Sequence, residues 1–258
     1  MELIKRFYIK FCRYFLRKKY LTIMAGNLKG YKWSAKYSYE YILGNYEDKE
    51  TTTHILNWFK PDSIFYDLGA NVGYYSFLAN TKITTGKILA FEPLQNNVEI
   101  FKNHIELNKE KLKINNVEIF SFAISANEKK VLFSNNNKTS DGNTYIIESP
   151  NFGEAKNSVL VQSYSLDELV FDKKFKPPTI LKIDVEGAEF DVLQGAKKTI
   201  EIYKPQILLA THNCHLNGVK EKCLQLLSQL NYEYTHTGMH NKVIDGLDDY
   251  FAAYKKND

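Results

Sequence analysis

A chain of 258 residues with 44% hydrophobic content can bury the core of one large domain, and three cysteines without CxxC spacing exclude a disulfide scaffold. The formal net charge of +4 sits at the start: Lys5, Arg6, Lys10, Arg13, Arg17, Lys18 and Lys19 against Glu2 give residues 1–20 a charge of +6, leaving −2 for the rest. The main domain is therefore no polycation, which argues against nucleic acid as a partner.

In that first segment Leu3, Ile4, Phe7, Tyr8, Phe11, Cys12, Phe15 and Leu16 recur at helical spacing, with basic residues mostly between them. Such a basic amphipathic helix reads in two ways: packed on its own domain or on a second copy of the chain, or lying on an anionic membrane surface. No run of about 18 apolar residues and no signal-peptide block is present, so a cytoplasmic protein is expected, with any membrane contact peripheral and at the inner face. We divide the chain into this helix and its lead-in, residues 1–45, and a domain over 46–258.

From about residue 60 strands alternate with helices. Ser63–Leu68, Lys87–Phe91, Val117–Ile124, Thr179–Val185 and Ile207–Ala210 read as strands; the helices expected between and after them cover about Tyr75–Asn80, Asn96–Asn108, Ala188–Glu201 and Val219–Leu230. This rhythm predicts a doubly wound α/β sheet covered by helices on both faces. A β-rich insert interrupts it at about 128–164, with pieces Val131–Ser134, Thr144–Ile147 and Ser158–Gln162 around the polar "SNNNKTSDGN". "YEYTH" at 232–236 and "YFAAYK" at 250–255 predict two final antiparallel strands at the sheet edge.

The turn in "YDLGANVGYYSFLA", residues 66–79, joins the first strand to the first helix, where an open α/β sheet binds its ligand. Gly69 and Gly73 would let the backbone approach that ligand, and Tyr74 and Tyr75 would line it. The pattern is not the GxGxxG of a pyrophosphate site, and Asp67 would repel phosphate. A positively charged ligand without phosphate fits better, and S-adenosylmethionine is one. Glu92, ending the second strand in "ILAFEP", stands at the distance from which a carboxylate binds ribose hydroxyls.

These stretches, with "AFEPLQNNVEIFKNHIELN", "SLDEL" at 165–169 and "LKIDVEGAEFDVLQGA" at 181–196, resemble the FkbM family of S-adenosylmethionine-dependent methyltransferases over roughly residues 44–210. The resemblance implies a class I methyltransferase (Rossmann-like) fold with seven strands, the last antiparallel, and O-methylation of a hydroxyl on a sugar, glycoconjugate or secondary metabolite. It places Glu47, in "GNYEDKE", near the cofactor's methionine end, and implies cofactor contacts at Ala70, Asn71, Pro93, Phe122, Ala123 and Asp184 beside those named above. Where the family often has an acid, this chain reads Ala210–Thr211–His212.

Methyl transfer needs an aligned nucleophile and a proton acceptor. Asp184 and Glu186 would point the same way along an extended chain, with Gly187 turning into the next helix. His212, after the fifth strand, would sit beside Asp184, and the three are the candidate catalytic groups. They could also gather Mg²⁺ or Mn²⁺, although no metal is expected. His54 and His104 read as core or boundary residues, and His215, His236 and His240 as loop residues bordering the acceptor pocket. Cys214 and Cys223 read as inert thiols. A non-catalytic nucleotide-binding scaffold, a nucleic-acid methyltransferase and a nicotinamide-dependent oxidoreductase are the alternatives. The second lacks its Asn/Asp-Pro-Pro-aromatic tetrapeptide, and the third lacks its glycine pattern.

Overall fold

The computed structural model describes residues 20–35, 39–44, 49–112, 116–134, 146–147, 158–237 and 246–255. The basic segment 1–19, Glu47, residues 135–143 of the polar stretch and His240 lie outside them. The strands are β1 (Tyr20–Thr22), β2 (Lys32–Ser34), β3 (Ile64–Leu68), β4 (Lys87–Phe91), β5 (Val117–Phe120), β6 (Ala123–Ile124), β7 (Lys129–Ser134), β8 (Ile146–Ile147), β9 (Ser158–Tyr164), β10 (Ile180–Ile183), β11 (Gln206–His212), β12 (Tyr232–His236) and β13 (Leu247–Tyr254). The helices are α1 (Tyr39–Leu43), α2 (Lys49–Trp58), α3 (Tyr74–Asn80), α4 (Gln95–Leu107), α5 (Glu189–Gly195), α6 (Lys197–Tyr203) and α7 (Val219–Gln229). No helix among the described residues is long and apolar enough to cross a membrane.

Seven strands form one sheet in the order β12-β13-β11-β10-β3-β4-β5. From β11 to β5 neighbours pair parallel, while β13 pairs antiparallel with both β11 and β12. The Rossmann-like α/β class with an antiparallel last strand is therefore present. The expected antiparallel pair of final strands lies at the sheet edge, with β13 inserted between β11 and β12. The β13 residues Asp248–Ala252 are all buried, whereas in β12 only Tyr232 is, and a polar strand tolerates the edge.

Alternation along the parallel strands splits the core between two faces. Phe65, Ile88, Ala90, Ile180 and Leu208 pack with Phe77 and Phe101 of α3 and α4 and with Trp33 of the β1–β2 hairpin. Tyr66, Leu68, Leu181, Ile183, Ile207 and Leu209 pack with Val192, Leu193, Cys223 and Leu227 of α5 and α7. Each such side chain contributes roughly 1.5–3 kcal/mol by leaving water, which fixes the strand registers. The hairpin, which the sequence did not signal, is tied in by His104. Its Nε2 accepts from Ser34 N at 3.0 Å, its Nδ1 donates to Val72 O at 3.0 Å, and its ring stacks on Trp33 at 4.0 Å.

Two expected elements divide. The strand expected over 117–124 stays in the main sheet only to Phe120. Phe122 then packs on Phe91 and Tyr164, and Ala123–Ile124 joins the four-stranded sheet β6-β9-β7-β8 built from the insert. The helix expected over 188–201 breaks into α5 and α6 at Ala196. Asp167 ends that break, accepting from Lys198 N at 3.0 Å and Thr199 N at 2.7 Å, the free amides of a new helix start.

Candidate functional site

The carboxyl ends of β3, β4, β10 and β11 converge on the turn at 69–73. Gly69 N and Ala70 N both donate to Phe91 O at 3.0 Å, which docks the turn on the end of β4. Gly69 and Gly73 have φ of +73° and +97°. A Cβ on Gly69 would lie 1.8 Å from Asp184 O, and one on Gly73 would lie 2.3 Å from the Phe101 ring. The glycines therefore let neighbouring protein pack closely against the turn. Asn71, at φ 50°, carries the turn through the left-handed region.

Asp67 is fully buried beneath this turn and does not reach the mouth. Its Oδ2 accepts from Ser76 Oγ at 2.7 Å, and its Oδ1 lies 3.3 Å from Lys182 Nζ. Asp67 and Lys182 are direct neighbours in the β3–β10 register. Lys182 also meets Asp184 Oδ2 at 3.2 Å, donates to Gly69 O at 2.8 Å and lies 5.3 Å from the centroid of the Tyr75 ring. Burial opposes the lysine's charge, but Asp184 and Asp67 outweigh it and hold its pKa above the ordinary range. Lys182 is not among the residues that the motifs single out. A lysine between Leu181 and Ile183 in a buried strand was the available signal, because lysine is almost never buried unpaired.

Glu92, 5% exposed, braces the same turn. Its Oε2 accepts from Asn71 N at 2.9 Å, and its Oε1 accepts from Leu94 N at 3.0 Å and Asn97 Nδ2 at 3.2 Å. Oε1 is thus saturated, and Oε2 keeps one lone pair for a hydroxyl. Burial pushes the Glu92 pKa up to about 7, against the lowering effect of these hydrogen bonds. Pro93 beside it is half-buried, as is Tyr74, which packs on Tyr41 and Tyr75; Tyr75 and Ala70 are buried. Phe122 belongs to the aromatic group with Phe91 and Phe120, and Ala123 to the small core under the insert with Leu94, Val131, Phe133 and Val161.

At the tips of β10 and β11 the three expected catalytic groups meet. His212 Nε2 lies 3.6 Å from Asp184 Oδ1 and 3.4 Å from Glu186 Oε2. The means differs from the expected alternation along a strand. β10 ends at Ile183, and Glu186 and Gly187 take φ of 56° and 105°, folding the chain back onto β11. Two further residues join them. Glu189, fully buried, accepts from Gly187 N at 2.9 Å and lies 2.7 Å from His212 Nδ1. His215 Nε2 lies 3.0 Å from Glu186 Oε2. Burial opposes the His212 charge, but Glu189 first, with Glu186 and Asp184, raises its pKa to about 9. Burial also raises the pKa of Glu186, against His215 and His212. Glu189 lies in the first turn of α5, an ordinary place for an acidic residue, and its local sequence carries no other signal.

The other histidines fall elsewhere. His104 is core; His54 is exposed and stacks on Phe251 at 3.9 Å; His236 ends β12 rather than a loop and meets Asp248 at 3.0 Å. Cys223 is buried and Cys214 exposed, and burial raises both thiol pKa values. As a whole the site presents Asp184, Glu186 and a lone pair of Glu92 beside a backbone turn, with Lys182 already occupied. That donor set fits a cofactor bearing positive charge and ribose hydroxyls, and disfavours phosphate.

The family described as "Methyltransferase FkbM domain" matches residues 67–235. Among solved structures the chain is similar to a methyltransferase FkbM from Methylobacillus flagellatus KT, with 18% identity and a TM-score of 0.52 over 76% of this chain and 44% of that one. It therefore spans less than half of that protein's length. A putative rRNA-methylase from Clostridium thermocellum (11% identity, TM-score 0.51, 81% of this chain and 96% of that one) shares the fold. So does an rRNA methylase from Streptococcus thermophilus (10% identity, TM-score 0.50, 80% of this chain and 95% of that one). No curated protein matches the chain.

Proposed function

The chain belongs to the FkbM methyltransferase family, and from that premise we propose that it moves a methyl group from S-adenosylmethionine to a hydroxyl of a sugar, glycoconjugate or secondary metabolite. The observation that carries this reading is the Asp184–Glu186–His212 group, with Nε2 within 3.6 Å of both carboxylates, beside the turn that Glu92 braces. Its acidic character suits a cationic donor and an acceptor that must lose a proton.

When bound, S-adenosylmethionine supplies a methyl carbon whose bond to positive sulfur breaks as the acceptor oxygen attacks. The chain's tasks are holding, aligning and taking a proton. Glu92 Oε2 would accept from a ribose hydroxyl, the 69–73 turn would carry the cofactor's flank, and Asp184, a third exposed on its side chain, would face the positive end. With its pKa raised to about 9, His212 is an imidazolium at neutral pH and orients the carboxylates rather than acting as the base. Glu186 is the proton acceptor: burial raises its pKa and makes it more basic than an exposed carboxylate.

The test is transfer of labelled methyl from S-adenosylmethionine to a panel of glycan and metabolite hydroxyls. Glu186→Gln should lower kcat by roughly 10²–10⁴-fold while cofactor affinity is retained. Equal turnover of the variant and the natural chain on the true acceptor would remove Glu186 from the mechanism.

A further inference from the structure

We propose that Asp184, Glu186 and His212 bind one divalent cation, of the Mn²⁺ or Zn²⁺ kind, on which the acceptor hydroxyl is held. The cation site stands on geometry alone; its role toward a hydroxyl rests on the methyl-transfer reading above. Each of the three residues offers one ligand atom, and the three atoms lie within 4.8 Å of one another.

The separations argue for a cation rather than hydrogen bonds. Nε2 stands 3.4 Å from Glu186 Oε2 and 3.6 Å from Asp184 Oδ1, beyond the usual range for an N–H···O bond. Two atoms each about 2.1 Å from a cation are about 3.0 Å apart at an octahedral angle and about 3.4 Å apart at a tetrahedral one, so the two nitrogen–oxygen separations need only small closing movements. The supporting contacts already point the ligands inward. Glu189 Oε1, 2.7 Å from Nδ1, fixes that nitrogen as the donor and turns Nε2 toward the carboxylates, the outer-sphere arrangement of metal-bound histidines; the imidazolium that His212 forms without an ion would give up its Nε2 proton to solvent as the cation takes that place. Lys182 holds Asp184 through Oδ2, which leaves Oδ1 facing His212.

The charges agree. Asp67, Asp184, Glu186 and Glu189 set four carboxylates around Lys182 and His212, and Glu189, fully buried, has an Oε2 with no hydrogen-bond partner. Two of these carboxylates are fully buried and two partly exposed, an excess of negative charge that a divalent cation at the exposed pair would offset. The left-handed conformation of Glu186, which brings its carboxylate back to His212, is the kind of backbone strain found where side chains are aimed at a task. His215 shares Glu186 Oε2 at 3.0 Å and stands where it could complete or support the site. Two oxygens and one imidazole suit Mn²⁺ or Zn²⁺, and three protein ligands leave positions open. An acceptor hydroxyl bound there becomes more acidic, and its proton passes to Glu186 Oε1, the oxygen turned away from the cation.

The experiment titrates the chelator-stripped full chain with Mn²⁺, following free Mn²⁺ by electron paramagnetic resonance, and with Zn²⁺ by calorimetry. No cofactor or acceptor is added. One ion per chain is expected, with affinity at least tenfold weaker in Glu186→Gln and Asp184→Asn and lost in His212→Asn. Circular dichroism and melting of each variant verify its fold. Binding of neither ion, or binding equally tight in all three folded variants, overturns the proposal. Methyl transfer at full rate in excess chelator by a chain that binds neither ion overturns it while sparing the methyl-transfer reading. Ion binding by a chain that never transfers methyl supports the site and removes the reading.

Discussion

Replacing Lys182 by Met keeps the apolar stem and removes the cation that pairs with Asp67. The magnitude follows from the surroundings. Asp67 is completely buried, its Oδ1 has Lys182 at 3.3 Å, and the lysine also satisfies Gly69 O at 2.8 Å. Breaking a buried pair by deleting one partner costs roughly 3–5 kcal/mol, because the other charge is left in a medium that cannot solvate it. For a domain of this size each kcal/mol corresponds to roughly 2–4 °C, so Lys182→Met should melt roughly 6–20 °C lower in calorimetry at pH 7. Asp184, partly exposed, can turn to water and adds little to that loss. The diagnostic variant is the double one: with Asp67→Asn the orphaned charge is gone, Ser76 still bonds the amide, and at least half of the lost stability should return. Lys182→Met melting within about 2 °C of the natural chain, or a double variant no more stable than the single one, would refute the buried-pair argument.

The remaining predictions concern pH. Because burial holds the Glu92 pKa near 7 and its carboxylate form accepts the ribose hydroxyl, S-adenosylmethionine affinity should rise about tenfold between pH 6 and 8, measured by calorimetry; a flat profile contradicts it. His104 is buried and neutral, its pKa lowered from 6.5 to about 4 by burial, against the bond to Val72. A lowered histidine pKa means the unfolded chain takes up the proton first. Its contribution of about 3 kcal/mol is thus present above pH 6.5 and lost as pH falls toward 4. Chemical denaturation of His104→Asn should show a shallower loss over that window than the natural chain, and identical slopes would count against the assignment.

The sheet was legible because its buried strands are short apolar runs bounded by turn residues and separated by helical periodicity, as Ile64–Leu68, Lys87–Phe91 and Ile180–Ile183 show. The β1–β2 hairpin was not, since two three-residue strands are too short to carry a period. The end of β5 was lost in a continuous β-rich run, because whether Phe122 continues the strand or packs on Phe91 is a tertiary choice. In the site, residue types and spacing located Asp184, Glu186, His212 and Glu92, but the side chains that hold them were less visible. Besides Asp184 and Gly187 close by, Lys182 and Glu189 meet Asp67 and His212 more than 20 residues away, and nothing in their local sequence names those distant partners. The protein neighbours that crowd Gly69 and Gly73, Asp184 and Phe101, come from distant segments and carried no local signal.

The central claim is tested most directly by calorimetric titration of the chain, and of Glu92→Ala, with S-adenosylmethionine and its demethylated product. One cofactor should bind per chain, and the variant should bind at least tenfold more weakly, since it loses a charge-assisted hydrogen bond worth roughly 1.5–3 kcal/mol. No binding by the natural chain, or unchanged affinity in a folded Glu92→Ala, would contradict the account.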